Sequence, residues 1–149
     1  MYPRILVPLD GSDACDRGLS EAIKIAKEQG SQLRLLHVVV APTMDCGYGT
    51  GGSRQEVIAS QCRIGKGIIG KAETLTREQG LSPECVMFES VGGSAGRAIL
   101  DEANQWQASL IVMGSHARHG LHRVGCDTAE VLIGSPVPVL LVRQDPRAA

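Results

Sequence analysis

Residues 4–13 read RILVPLDGSD: a short apolar run, followed at once by a carboxylate, a glycine and two residues that favour helix starts. The residues behind this stretch have the i, i+3, i+4, i+7 spacing of a buried helix face, with apolar side chains at Leu19, Ala22, Ile23 and Ala26. Gly30 then provides a helix stop. The start of the chain therefore predicts a buried strand that runs into an amphipathic helix.

The same alternation continues along the chain and predicts an α/β fold. Apolar runs that predict further strands lie at residues 33–40, 84–89, 110–113 and 137–142. Helices are predicted between them, at residues 54–79, from Ser94 onward and at residues 128–133. This order is typical of βαβ units around an open parallel sheet with helices on both faces. The run at 33–40 is apolar on both faces, which favours an interior strand.

Two of these helices have predicted buried faces, and one connection is predicted to be a loop. The long helix is expected to bury Ile64, Ile68, Ala72 and Leu75, and the helix after Ser94 to bury Ala95, Ile99, Ala103 and Trp106. Residues 41–53 hold a proline and four glycines, which predict a loop inside one domain.

Composition excludes several classes of protein. The 149 residues suit one domain, and 15 Lys and Arg against 16 Asp and Glu give a net charge of −1, without the basic surface that nucleic-acid binding requires. No apolar run approaches the ~18 residues of a membrane span. Five cysteines form an odd set without a CxxC pair, which favours reduced thiols. We expect a soluble, cytoplasmic protein with no nucleic-acid or membrane partner.

The most distinctive chemistry lies at the carboxyl ends of two predicted strands. Asp10 ends the first strand beside a helix start, and Gly114 and Ser115 end the fourth. Ligands of open parallel sheets bind at such ends, and the missing Cβ of Gly114 would let a phosphate approach the backbone. Positive or switchable charge follows at Arg118, His119, His122 and Arg123. The structural alternative is that Asp10 only caps the first helix and Gly114 only makes a tight turn.

Four blocks of sequence together resemble the universal stress protein family, in its single-domain form. They are ILVPLDGSDAC at residues 5–15, LLHVV at 35–39, SLIVMGSHARHGL at 109–121 and SPVPVLLVR at 135–143. The resemblance covers nearly the whole chain and is weakest between residues 41 and 91. It implies a five-stranded parallel sheet in the order 3-2-1-4-5 and a homodimer.

The resemblance also implies that the chain binds ATP or another adenine nucleotide, with Mg²⁺ as a possible companion. Many members bind ATP through a glycine, two residues, a glycine, nine residues, a glycine and then Ser or Thr. Asp10 resembles the family's carboxylate near the nucleoside, and Val38 resembles the residue whose backbone meets adenine. The candidate nucleotide-binding residues are Pro8, Leu9, Asp10, Val38, Met113, Gly114, Ser115, Ala117, Gly125, Cys126, Asp127 and Thr128.

This chain departs from the family's glycine pattern after Ser115. Ala117 stands where the second glycine belongs, and nine further residues lead to Asp127 and Thr128. A loop two residues shorter would instead place Gly125 and Cys126 at the last two positions. A nucleotide-free homodimer that contacts other proteins is therefore the alternative function.

Asp127 bears directly on phosphate binding. The spacing from Asp127 to Glu130 is that of a capping box, which predicts that Asp127 caps the last helix. A carboxylate there would occupy the N–H groups that a phosphate needs and would repel it.

Three further features of the sequence do not predict a function. GKGIIGKA at residues 65–72 satisfies GxGxxG, but no buried strand precedes it, so a helix is expected. His116, His119 and His122, with Cys126 nearby, offer metal donors without a fixed geometry, so metal binding is a minor alternative. No catalytic set can be assembled, so we expect no enzyme and at most incidental ATP hydrolysis.

The last predicted strand bears on assembly. Residues 137–142 form an apolar strand with Pro136 and Pro138 at its start, which suits the edge of a sheet. An unprotected edge favours pairing with a second copy across a two-fold axis. We therefore expect a homodimer through this strand.

Overall fold

The computed structural model describes residues 1–41, 54–115 and 126–143, apart from the side chains of Val91 and Cys126. Strands and helices alternate through these residues, which confirms the predicted fold class. The elements are β1 (Arg4–Pro8), α1 (Asp13–Gln29), β2 (Gln32–Ala41), α2 (Arg54–Glu78), β3 (Glu84–Val91), α3 (Ala95–Gln105), β4 (Leu110–Ser115), α4 (Cys126–Gly134) and β5 (Val139–Arg143).

The five strands form one parallel sheet in the predicted order, β3-β2-β1-β4-β5. β1 lies at the centre, where Ile5 pairs in register with Leu33 on one side and Leu110 on the other. The chain builds outward from β1 through β2 to β3 and then returns to β4 on the opposite side. The switch in strand order therefore lies between the carboxyl ends of β1 and β4, where open sheets of this kind bind ligands.

Helices cover both faces of the sheet. On one face α1 buries its predicted stripe against Ile5, Val7 and Leu35. On the other face Ile99, Ala103 and Trp106 pack with Leu6 and Ile111. Each face thus has its own apolar core, and the central strands are buried on both sides.

Local sequence signals set the ends of α1, as predicted. The side chain of Ser12 accepts a hydrogen bond from the Cys15 N–H at 3.2 Å and so caps the helix start. Gly30 ends the helix with φ of 68°, in the left-handed region that glycine adopts without strain.

The predicted buried face of α2 is confirmed at Ala72 and in part at Ile68, which packs half-buried against the core, but it is wrong at Ile64 and Leu75. Ile64 is 56% exposed and Leu75 is 40% exposed, whereas the buried positions are Gly65, Ile69, Ala72 and Thr76. The reason is a close approach at Gly65, where a Cβ would lie 2.6 Å from Cδ2 of His37 and 2.9 Å from Sδ of Met87. The helix therefore packs on the sheet through its smaller residues. GKGIIGKA is helical, as expected.

Several predicted boundaries shift by one or two residues. β4 continues through Gly114 and Ser115 instead of ending at Met113, and α4 begins at Cys126 rather than Thr128. The predicted loop at 41–53 falls, from residue 42 on, outside the described residues, as does the polar segment at 116–125. β5 is an edge strand, as predicted. Among the helices described, none has the length and apolar character needed to cross a membrane.

Candidate functional site

A crevice opens at the switch point, above the carboxyl ends of β1, β2 and β4, and encloses about 170 Å³. The first turns of α1, α3 and α4 complete its walls. The predicted residues that line it are Pro8, Leu9, Asp10, Val38, Met113, Gly114, Asp127 and Thr128. Three separate strand ends and a helix start, far apart in sequence, thus contribute candidate residues to one cavity.

The remaining candidates are not among the described lining residues. Ser115 is buried at the end of β4 and is not part of the described lining. Ala117 and Gly125 lie outside the described residues. Cys126 begins α4, but its side chain is not described.

Five further lining residues were not predicted from the sequence, namely Cys15, Leu36, His37, Ala95 and Ile99. Spacing could have indicated some of them. Ala95 and Ile99 are four residues apart on α3, so they share one helix face. Cys15 lies in the first turn of α1, next to the end of β1.

Asp10 is held at the wall of the crevice by hydrogen bonds. The thiol of Cys15 donates to Oδ1 of Asp10 at 2.9 Å, and the backbone N–H of Asp10 donates back to Sγ at 3.0 Å. The N–H of Ser12 donates to the same Oδ1 at 2.9 Å. Because Ser12 is the helix cap, the capping alternative for Asp10 is wrong. Its carboxylate is instead fixed beside the cavity.

Cys15 is a protonated hydrogen-bond donor rather than a nucleophile. Burial, and then the hydrogen bond to Asp10, raise the pKa of its thiol from 9.0 to about 12. Because only the thiolate attacks, this side chain is unreactive near neutral pH.

His37 supports the floor of the site. Its Nδ1 lies 2.8 Å from the carbonyl oxygen of Leu9, and since a carbonyl only accepts, Nδ1 is the donor. The N–H of Leu9 donates to the oxygen of Leu36 at 2.7 Å, so β1 and β2 stay joined beyond the end of β1. With Gly65 packed against its ring, the buried imidazole fixes the backbone just before Asp10.

Close packing of α1 on β4 requires a glycine at position 114, a role that was not predicted from the sequence. A Cβ there would lie 1.8 Å from the carbonyl oxygen of Ala14, and a Cβ on Gly18 would lie 2.9 Å from the nitrogen of Gly114. Both glycines let α1 pack directly on β4. The close contact with Ala14 therefore accounts for this glycine without a phosphate.

The predicted capping box of α4 does not form. Asp127 lies inside the first turn of α4, and its Oδ1 accepts a hydrogen bond from the N–H of Gly96, on α3, at 3.2 Å. Glu130 accepts from the hydroxyl of Ser94, the residue that caps α3. Both acidic side chains thus reach across to the start of α3, because the bare backbone of Gly96 lets the two helices approach closely.

The charged side chains in the described lining are both carboxylates, those of Asp10 and Asp127. Elsewhere too, the described residues contain no group of three His, Cys, Asp or Glu side chains that could hold a metal ion. The possible metal donors His116, His119 and His122 lie outside the described residues.

Comparison with known proteins places this architecture in a family. The model of the universal stress protein family matches residues 1–143. The universal stress protein YxiE of Bacillus subtilis is 32% identical over 151 aligned residues, covering 96% of this chain and all of that protein. A universal stress protein of Methanocaldococcus jannaschii is 30% identical, over 97% of this chain and 84% of its own length.

Solved structures show the same fold. Universal stress protein UspA from Lactobacillus plantarum superposes with a TM-score of 0.77 at 26% identity, covering 95% of this chain and 98% of that one. An Archaeoglobus fulgidus universal stress protein in complex with dAMP gives 0.67 at 21% identity, over 95% and 98%. An Arabidopsis thaliana family member with AMP bound gives 0.70 at 18%, over 97% and 94%. Because the family model matches residues 1–143, almost the whole of this chain, the chain belongs to the universal stress protein family.

Proposed function

We propose that this chain is a stress-response protein that binds an adenine nucleotide in the crevice between β1 and β4. The observation that carries the proposal is the convergence of Asp10, Val38 and Gly114 on one cavity at the switch point, where Asp10 follows β1 and the other two lie in β2 and β4. The dAMP and AMP complexes of relatives with the same fold support the ligand class. That class comprises ATP, ADP and AMP, and a di- or triphosphate would enter with Mg²⁺ on its own oxygens.

The lining suits a nucleoside. Leu36, Val38 and Ile99 supply an apolar surface for a flat base, and the fixed carboxylate of Asp10 can accept hydrogen bonds from ribose hydroxyls. A cavity with apolar walls and a few placed polar groups is the usual form of a small-molecule site. The nucleotide-free alternative is not favoured, because it does not explain why Asp10, Val38 and Gly114 line one cavity.

The proposed role is binding rather than catalysis. The thiol in the crevice, Cys15, is held protonated, and the imidazole of His37 is engaged with a backbone carbonyl. The proposed location is the cytoplasm, which is supported by an odd number of cysteines without a CxxC pair.

The proposed assembly is a homodimer through β5, open to a further protein partner. Support comes from the apolar sequence of this edge strand and from the exposed side chain of Leu140.

Substitution of Asp10 tests the binding site. We expect Asp10→Ala to lower the affinity for adenosine and AMP by about tenfold, since the loss of a polar contact costs about 1.4 kcal/mol. Isothermal titration calorimetry measures the change. Asp13→Ala is the matched control, because it removes an exposed carboxylate three residues away that does not line the crevice.

Two results would count against the proposal. Equal affinity in wild type and Asp10→Ala would exclude Asp10 from the site. No heat with adenosine, AMP or ATP at millimolar concentration, together with no nucleotide released from freshly purified protein, would exclude the function.

A further inference from the structure

The first turns of α3 and α4 meet at one wall of the crevice. Ala95 and Ile99 from α3 line it together with Asp127 and Thr128 from α4. A Cβ on Gly96 would lie 2.9 Å from the carbonyl oxygen of Asp127, so the two helix starts are in close backbone contact. The end of the crevice that offers helix N-termini is thus built from both helices.

Two N–H groups at the start of α3 already donate to the protein's own oxygen atoms. The N–H of Gly96 donates to Asp127 Oδ1 at 3.2 Å, and the N–H of Arg97 donates to the hydroxyl of Ser94 at 3.1 Å. That hydroxyl in turn donates to Glu130. Free N–H groups and a positive dipole end make a helix start attractive to phosphate, and at the start of α3 the carboxylate of Asp127 already accepts from one of these groups.

The charge of the described lining residues also disfavours phosphate. Asp10 stands at the end of β1 and Asp127 at the start of α4, and both place a negative charge at the wall of the crevice. An uncharged nucleoside meets no repulsion in such a crevice. Each added phosphate brings negative charge towards Asp127, and the repulsion grows with the charge.

We propose that Asp127 makes this crevice select adenosine and AMP over ATP. The inference rests on the proposed function and assigns a specificity to the same site. Asp127 acts through its charge, while its hydrogen bond to Gly96 keeps that charge fixed at the wall.

Asp127→Asn separates these two roles, because the amide oxygen can still accept from Gly96 while the charge is gone. Titration of adenosine, AMP and ATP at one salt concentration, with EDTA present, should show the ATP-to-adenosine affinity ratio rising by about tenfold in this variant. Adenosine carries no phosphate, so its affinity for each protein is the reference in this ratio. Asp101→Asn removes an equal charge from the exposed side of α3 and should leave the ratio unchanged.

Salt dependence of the wild-type protein supplies a second measurement that needs no variant. Because salt screens repulsion, ATP affinity relative to adenosine should rise between 0.05 and 0.5 M NaCl, where the Debye length falls well below 10 Å. A fall would show that attraction to phosphate dominates and would overturn the inference.

Other outcomes separate this inference from the proposed function. If adenosine binds but the ratio is the same in wild type and Asp127→Asn, the selectivity is disproved and the binding site stands. If neither adenosine, AMP nor ATP binds the wild type, both are disproved.

Discussion

The thiol of Cys15 shows how one buried side chain can serve both the site and the stability of the fold. It packs beneath the crevice, donates to the carboxylate of Asp10 and has its pKa raised to about 12. An unfolded chain exposes the same thiol to water, where it ionises near pH 9. The folded protein therefore holds a proton that the unfolded protein loses between these two pH values.

Alkaline pH should for this reason weaken the fold through Cys15. Stability depends on pH through the difference in bound protons, so it is complete below pH 9 and falls as pH rises from 9 towards 12. From pH 8 to pH 10 we expect the free energy of unfolding of the wild type to fall by about 1 kcal/mol more than that of Cys15→Ser. Urea denaturation at each pH measures the difference.

The serine variant is the control, since its hydroxyl still donates to Asp10 but does not ionise in this range. The other cysteines, lysines and tyrosines are common to both proteins, so their titration cancels. Identical pH dependence of the two proteins would show that the Cys15 thiol titrates at its ordinary pKa.

Among the elements, α2 shows how packing assigns different roles to glycines of one helix. Gly65 lies against His37 and Met87, where a Cβ would come within 2.6 Å of the imidazole. Gly67, one half-turn further, is exposed and would have no atom within 4 Å of an added Cβ. The first glycine is required by the contact between helix and sheet, and the second only weakens the helix.

Alanine at these two positions should therefore change stability in opposite directions. Gly67→Ala should stabilise the protein by about 1 kcal/mol, the usual difference in helix propensity. Gly65→Ala should destabilise it by about 1–3 kcal/mol, because the buried imidazole has little room to move. Thermal unfolding measures both. A loss of stability with Gly67→Ala, or a gain with Gly65→Ala, would contradict the packing described for α2.

Elements were predictable from sequence where their own residues decide them. Ser12 and Gly30 delimit α1 by local hydrogen bonding and backbone conformation, and alternating apolar runs located every strand. Periodicity could not predict which residues of other elements each helix packs against. The buried row of α2 depends on the ring of His37, and Asp127 reaches α3 because Gly96 lets the helices close. Several residues that line the crevice could be predicted because they lie at strand ends. Their hydrogen bonds could not be predicted, because these depend on tertiary contacts.

At the scale of the whole molecule, the two edges of the sheet differ in their protection. β3 carries charged side chains, Glu84 and Glu89, of the kind that blunts an edge against pairing. β5 reads VLLVR and has no charged residue before Arg143. The unprotected edge is therefore β5, which is the edge proposed to join two copies.

Leu140 is the position at which to test this interface. Val139 and Leu141 pack against the core beneath α3 and α4, so a charge at either would also disturb the folded monomer. Leu140 is 38% exposed, and a lysine there would bury an unpaired charge in the dimer alone. We expect light scattering at micromolar concentration to show a wild-type dimer and a Leu140→Lys monomer with unchanged helix content.

The control is Leu75→Lys, which should remain a dimer. Leu75 is a 40% exposed leucine of α2, and α2 packs over β2 and β3 towards the opposite edge of the sheet. A wild-type monomer would exclude the dimer, and a dimeric Leu140→Lys would move the interface away from β5.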